Sequence, residues 1–438
     1  MREFLGSLVL PLFLFGNAHA ITLQECIEAA LVNNPELKKA RAEFNSFKER
    51  EDQSFADLLP SISLSVSRSK VDQDRSDNSR PTISQKYTTE SDSLTLRQPL
   101  YRPSLLRNYE KSKLDTNAQK NNLDYQEDLL EMKVIEAYFQ LLQSFARKSL
   151  IEKKITLLEE QGIASEKSIQ AGVGTITEKV ELQAELDKAQ VEIISIDQNI
   201  TVELNELSFL TGLKVNGTNG FKFNERRFKA LEEKNIEQWE SSALANNYRT
   251  KAIRNQILAL EKDLSSQKFS RYPSLDLTLQ MAKGSSESTF FVNSETKSNS
   301  IGLSLFVPIY QGGGISSKIR EAAFNLEAEK QALVFEEDEL RKSVQKAFYG
   351  MRENLKLVSA LQTAIRSAEI VLDANIKSTQ AGVRRQLDVL IAQQKLIRVE
   401  NDLIQARVNV ILFWSQLRML SGLLDQDSIK FLNDFLDG

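Results

Sequence analysis

The chain has 438 residues, 26% of them charged and 41% hydrophobic, with a formal net charge of -4. A single histidine, His19, and a single cysteine, Cys26, exclude Ser-His-Asp and Cys-His catalysis, His-ligated metals, thiolate clusters and internal disulfides. The slight acidic excess gives no footing for nucleic acid, and scarce glycine (17) and proline (8) point to a largely helical chain.

In chain order, Arg2, the apolar run from Leu5 to Phe15 and the small-residue site Ala18-His19-Ala20 read as a signal peptide over residues 1–20. No other stretch approaches 18 consecutive apolar residues, so entry into a membrane would require β-strands closed into a barrel. A helix is expected over 35–59. From Ser61 to Lys70, Ile62, Leu64 and Val66 alternate with serines, the period of a strand with one apolar face. The polar stretch 71–87 is expected as a loop, and Leu94 and Leu96 mark a second, shorter strand. No proline lies between 104 and 272, and a long helix is expected over 103–169, followed by a turn and a helix over 175–211.

The segment 214–235, with Arg226, Arg227, Lys229 and Lys234, reads as a solvated connection. Trp239 belongs to a short helix, and a further helix is expected over 247–272. Two more alternating strands carry Leu275, Leu277, Leu279 and Met281, then Ile301, Leu303, Leu305 and Val307, on either side of a polar loop at 285–297. Each strand is about ten residues, the length a tilted strand needs to cross a bilayer. Helices are expected over 314–379 and 384–421. The last carries an a/d seam over five heptads, from Val389 and Ala392 to Leu417 and Leu420. A matching seam in 175–211 is interrupted by Lys179 and Glu203. Residues 423–438 read as a short tail.

The chain repeats itself. Asn33-Asn34 and Leu59-Pro60-Ser61 return as Asn246-Asn247 and Tyr272-Pro273-Ser274, offset by 213 residues. Pro99-Leu100-Tyr101 returns as Pro308-Ile309-Tyr310, and Gln170-Ala171-Gly172-Val173 returns identically as Gln380-Ala381-Gly382-Val383. The two copies are placed at 21–213 and 236–422. Each runs helix, strand, loop, strand, long helix, turn, helix. Two short helices end to end match one long helix of about 100 Å at 1.5 Å per residue, a coiled-coil wall. Four strands cannot close a barrel and open edges are not tolerated in lipid, so several copies must share one. Three copies leave room for a lumen. The expected fold is mainly α with a membrane β-barrel portion: an α-helical barrel plus one third of a trimeric twelve-stranded β-barrel.

These motifs, together with the opening Thr22-Leu23-Gln24-Glu25-Cys26-Ile27-Glu28-Ala29-Ala30 and Pro308-Ile309-Tyr310-Gln311-Gly312-Gly313, resemble the TolC-type outer-membrane efflux proteins over nearly all of the mature chain. The resemblance implies a homotrimer in outer-membrane lipid with a helical tunnel reaching into the periplasm. It implies a periplasmic adaptor (membrane-fusion) protein and an inner-membrane pump of RND, ABC or MFS type as partners. It implies no cofactor, no metal and no catalysis.

The tunnel mouth is then expected at the helix–helix turns, Ala171 to Thr175 and Ala381 to Arg385. Glu178 and Asp388 each lie six residues past a glycine, and Arg384 and Arg385 flank the second turn, so these four form the candidate gate. Acids at a helix start also suit the helix macrodipole without any gate. Gly172, Val173, Gly382 and Val383 are the candidate adaptor contacts. Thr379 stands where the family often has an aromatic gate residue, and Ile391 where a second acid can occur. The competing reading is a soluble periplasmic or extracellular coiled-coil scaffold, against which four strands of membrane-spanning length argue.

Overall fold

The computed structural model describes residues 21–77, 80–172, 174–217, 231, 235–287 and 294–433. The expected signal peptide and the basic run at 226–234 lie outside these residues. The first copy comprises α1 (Leu23–Asn33), α2 (Pro35–Ala56), β1 (Ser61–Asp77), β2 (Arg80–Tyr101), α3 (Pro103–Gln170) and α4 (Ile176–Thr211). The second comprises α5 (Ile236–Asn246), α6 (Tyr248–Phe269), β3 (Ser274–Ser286), β4 (Ser294–Phe306), α7 (Gly314–Gln380) and α8 (Gln386–Leu420). Helix for helix the lengths agree: 11 and 11 residues, 22 and 22, 68 and 67, 36 and 35. The duplication is therefore structural. A final helix, α9 (Gln426–Asn433), occupies what the sequence suggested was a tail.

Local chemistry sets the helix ends. Thr22 and Glu25 form a reciprocal capping box at α1: Glu25 N–H donates to Thr22 Oγ1 (3.2 Å) and Thr22 N–H to Glu25 Oε2 (2.8 Å). Asn34 Oδ1 accepts from the N–H groups of Glu36 and Leu37, so Asn34 caps α2 while Pro35 takes the first helical position, where its missing N–H costs nothing. Asn247 repeats the cap at α6. The Asn-Asn motif that marks each copy is thus the break between its two short helices.

The chain divides into two compact units. One holds the residues up to Lys38, Glu127–Ala245 and the residues from Arg341; the other holds Lys39–Gln126 and Asn246–Leu340. The first has a dense core around the middle of α3, where Val134, Ile135, Phe139 and Leu141 are fully buried with Leu23 and Cys26 of α1. Each such side chain contributes about 1.5–3 kcal/mol. Tyr138 donates its hydroxyl to the Ile21 carbonyl at 3.2 Å, which fixes the start of the described chain. The heptad rows are buried as the period requires: Leu182, Ala189 and Ile196 on α4, and Val389, Ala392, Leu403, Ala406, Val410 and Leu417 on α8. Glu203, which interrupts the first row, accepts from Ser144 Oγ at 2.9 Å; burial raises its pKa, Ser144 opposes that, and Glu206 adds to it.

Gly350 on α7 lets the Phe413 ring lie against the backbone; a Cβ there would meet the ring at 2.7 Å. Gly350→Ala is expected to cost about 1–3 kcal/mol through overpacking. The loss would appear as a lower unfolding temperature and be largely recovered by adding Phe413→Leu. Trp414, one residue on, packs against Phe431 of α9 with ring centroids 5.0 Å apart and planes tilted by 42°.

The second unit carries an antiparallel sheet in the order β1-β2-β3-β4. The register puts Ile62 opposite Leu96, Leu96 opposite Leu279 and Leu279 opposite Ile301, one continuous apolar row. One residue along, Ser63, Thr95, Gln280 and Ser300 form a polar row on the other face. Both edge strands, β1 and β4, lack a second neighbour among the described residues. Ile62, Leu64, Ile301, Leu303 and Leu305 are all at least 66% exposed, as are Phe324 and Phe335 on α7, an apolar surface far larger than a monomer in water leaves bare.

Two expectations need correction. Residues 71–77 and 80–87 are paired strand, not loop, and the polar ends of 285–297 at 285–286 and 294–297 are strand as well. Polar side chains pair across the strands here, with Lys86 on Asp72 at 3.0 Å and Lys283 on Glu295 at 3.2 Å, and next to them Arg68 on Glu90 at 3.3 Å; Lys297, on the same strand as Glu295, adds a contact at 3.3 Å. The strands accordingly run to 17, 22, 13 and 13 residues instead of about ten.

Candidate functional site

The two turns between the long and short helices are built alike, both within the first unit. In the first, Ala171 N–H donates to the Lys167 carbonyl (3.0 Å), Gly172 N–H to Ile169 (2.9 Å) and Gly174 N–H to Ser168 (3.0 Å). Gly172 has φ +75°, the left-handed geometry in which a Cβ is strained. Gly174 is needed for a different reason: a Cβ there would lie 2.8 Å from Ile169 N. Thr175 caps α4 by accepting from Glu178 N–H at 3.3 Å, so Glu178 stands in the first turn of that helix. Val173 lies outside the described residues.

In the second turn Gly382 has φ +72° and donates to Thr379 (3.0 Å), while Val383 and Arg384 both donate from their backbones to the Ser378 carbonyl (2.9 and 3.3 Å). Val383 is 79% exposed at the tip. Asp388 accepts from the Arg385 N–H at 3.3 Å and returns its own N–H to the Arg385 carbonyl at 3.0 Å, closing the start of α8. The side chain of Arg384 turns back onto α7 and donates to Asn375 Oδ1 at 2.7 Å; Asn375 is buried.

The structure therefore gathers Gly382, Val383, Arg384, Arg385 and Asp388 in one turn and Gly172 and Glu178 in the other. Within one chain, and among the described residues, it pairs none of the four charged candidates with a charged group of the opposite turn. Asn375 and Gly174 escaped the sequence reading. Alignment of the copies could have exposed Gly174, because Arg384 fills its place in the second repeat; nothing local marks Asn375. Below the turns, α3, α4 and α8 enclose a cleft of about 240 Å³ lined by Arg147, Lys154, Glu185, Lys188, Glu192 and Arg398. Arg147 pairs with Glu192 at 2.8 Å, and Lys154 approaches Glu185 at 3.7 Å. This is a wall of ion pairs, each worth little where exposed.

Nothing in this arrangement does covalent chemistry. The lone thiol, Cys26, is fully buried, and burial first, then the neighbouring Glu25 charge, pushes its pKa up to about 12. No cluster of three metal-ligating side chains occurs among the described residues. No helix there is long and apolar enough to cross a membrane. The apolar face of the sheet is what remains to meet lipid.

A model of the family described as Outer membrane efflux protein matches residues 26–213 and 239–423, most of the chain. The chain belongs to that family. An outer membrane efflux protein is a channel of the bacterial outer membrane and not an enzyme, and its family's channels are trimers that work with efflux-pump components. This efflux protein is 25% identical to the alkaline protease secretion protein AprF of Pseudomonas aeruginosa, over 96% of this chain and 88% of that one. It is 24% identical to the proteases secretion protein PrtF of Dickeya chrysanthemi (95% and 91% covered) and 23% identical to the outer membrane protein TolC of Escherichia coli (96% and 86% covered). The fold is that of the solved channel CusC, with a TM-score of 0.81 at 17% identity, covering 94% of this chain and 95% of that one.

Proposed function

We propose that three copies of this chain close a twelve-stranded barrel in the outer membrane above a periplasmic helical tunnel, forming a passive export duct. The observation that carries this is the sheet: one face apolar and exposed, the other polar, both edges open. Lipid tolerates such a sheet only when its edges are closed, and a duplicated four-strand unit closes by circular repetition. Energy comes from an inner-membrane pump of RND, ABC or MFS type through a periplasmic adaptor, whose tips meet Gly172, Val173, Gly382 and Val383. That two relatives are named for protease secretion favours a polypeptide cargo.

Glu178, Arg384, Arg385 and Asp388 guard the mouth. In this reading the Arg384–Asn375 bond holds the second turn against α7, and the acids from three chains converge on the axis. Arg384→Ala combined with Asp388→Ala is expected to raise single-channel conductance in planar bilayers by at least about twofold, since the mouth is the narrowest charged constriction. Unchanged conductance would remove the gate assignment. Failure of the unaltered protein to form any channel would remove the duct.

A further inference from the structure

The polar face of the sheet is almost free of charge. On that face stand the odd positions of β1 and β2 and the even positions of β3 and β4, as the register of Ser61 with Arg97, Arg97 with Thr278 and Thr278 with Gly302 shows. From 61 to 73, 85 to 95, 278 to 286 and 294 to 306 they are serine, threonine, glutamine, glycine, alanine and a few apolar or tyrosine residues, without one ionisable acid or base. Of the strands' other charges, Arg68, Glu90, Asp92, Lys283 and Lys297 fall on the opposite face, while Arg75, opposite Ile83, shares the polar face near the far end of β1.

The charged cluster of this face sits at the helix-proximal end. Asp276 is buried and takes two arginines. Arg97 Nη2 donates to its Oδ2 at 2.8 Å, and Arg102, the residue after β2, donates from Nε to Oδ1 at 2.8 Å and from Nη2 to Oδ2. Two cations on one anion leave a surplus positive charge. Arg97 keeps 53% of its side chain exposed, so that surplus faces open space. The duplication does not repeat it: Ser63 of the first copy takes the place of Asp276, and Phe306 and Gln311 of the second take those of Arg97 and Arg102.

We propose that Arg97, Arg102 and Asp276 form a cationic collar at the base of the barrel lumen, one surplus charge per chain, that favours anionic solutes in the uncharged stretch of lumen beside it. This rests on the trimeric-duct reading, in which the polar face lines the lumen. A fixed charge in a narrow, low-dielectric channel acts on every ion that passes, and the neighbouring rows of this face carry no charge to offset it. Asp276 positions both guanidinium groups and ties the first residue of the helical part to the sheet; Arg97 presents the charge.

The test places one thiol beside the collar. Gln280 lies on the polar face, one row beyond Thr278, the partner of Arg97. Gln280→Cys in native outer membranes is treated at low salt with an anionic (sulfonatoethyl) and a cationic (trimethylammonioethyl) methanethiosulfonate, each rate normalised to a free thiol in solution. Buried Cys26 leaves the unaltered chain as the unreactive control. The collar requires the anionic reagent to react faster, with an anion-to-cation rate ratio that collapses toward one in high salt. Adding Arg97→Gln should cut the ratio by about five- to tenfold, whereas Arg97→Lys, which keeps the charge, should preserve it. A ratio at or below one in the parent, or the same ratio with and without Arg97→Gln, overturns the collar. Should Gln280→Cys be unreactive while Met281→Cys on the opposite face reacts, the duct reading itself fails.

Discussion

Leu279→Arg is expected to abolish recovery of the protein in the outer-membrane fraction. Leu279 lies in the middle of the continuous apolar row with Ile62, Leu96 and Ile301. An arginine facing lipid near the bilayer midplane costs about 2–4 kcal/mol, and a trimer places three at one level. Gln280→Arg, one residue along and on the polar face, adds the same charge to a watered surface and should assemble. Comparing the two by membrane fractionation and by heat-modifiable migration on gels decides the matter. Normal assembly of Leu279→Arg would mean that this face does not meet lipid.

Glu131→Gln is expected to remove a pH dependence of stability. Glu131 on α3 is pushed up to about 7 from an ordinary 4.5, chiefly by burial and further by the charges of Glu127 and Asp425. Asp425 itself moves down: burial would raise it, but hydrogen bonds from Ser428 and the Arg418 cation outweigh that, so it stays charged beside Glu131. The sign follows from proton counting. Between pH 4.5 and 7 the folded chain holds a proton at Glu131 that the unfolded chain has released, so stability falls as pH rises through that window. Below it the cost is absent, and above it the cost is complete, on the order of 3 kcal/mol. Unfolding temperatures at pH 5 and pH 8 should therefore converge in Glu131→Gln, with the gain at pH 8. An unchanged pH slope would show that Glu131 carries no such penalty.

The helices and the apolar rows of the sheet were legible because their signals are periodic and local. Ile62, Leu64 and Val66 alternate with serine, and Val389 to Leu417 recur every seven residues; the first pattern forms one apolar face of the sheet, and the second is buried mainly along its seam. Legibility ended where a side chain's meaning depends on a distant partner. Lys86 and Asp72 read as loop residues until they face each other across a hairpin. The eight residues of α9 carry no long period and are held by Phe431 on Trp414 and by Ser428 on Arg418. Arg384 was visible beside its glycine turn, but its partner Asn375 is one amide among many on α7. Asp276 is one polar residue of an alternating strand, and its arginines lie 174 and 179 residues away.

The unequal hairpins have a consequence of their own. Among the described residues β2 pairs with β3 from Thr89 onward, with one further bond from Glu287 N–H to the Thr88 carbonyl, so the stretch from Arg80 to Tyr87 is flanked by β1 alone, about 27 Å of two-stranded ribbon at 3.4 Å per residue. Such a ribbon twists freely and is marginal without help. Here Lys86 on Asp72 and Tyr87 on Gln73 stitch its sides together. On the duct reading it stands clear of the lipid on the cell's exterior, so an antibody or protease arriving there touches this spur before any other part of the sheet. Foreign epitopes grafted at its crest would be displayed to the medium without disturbing the wall beneath.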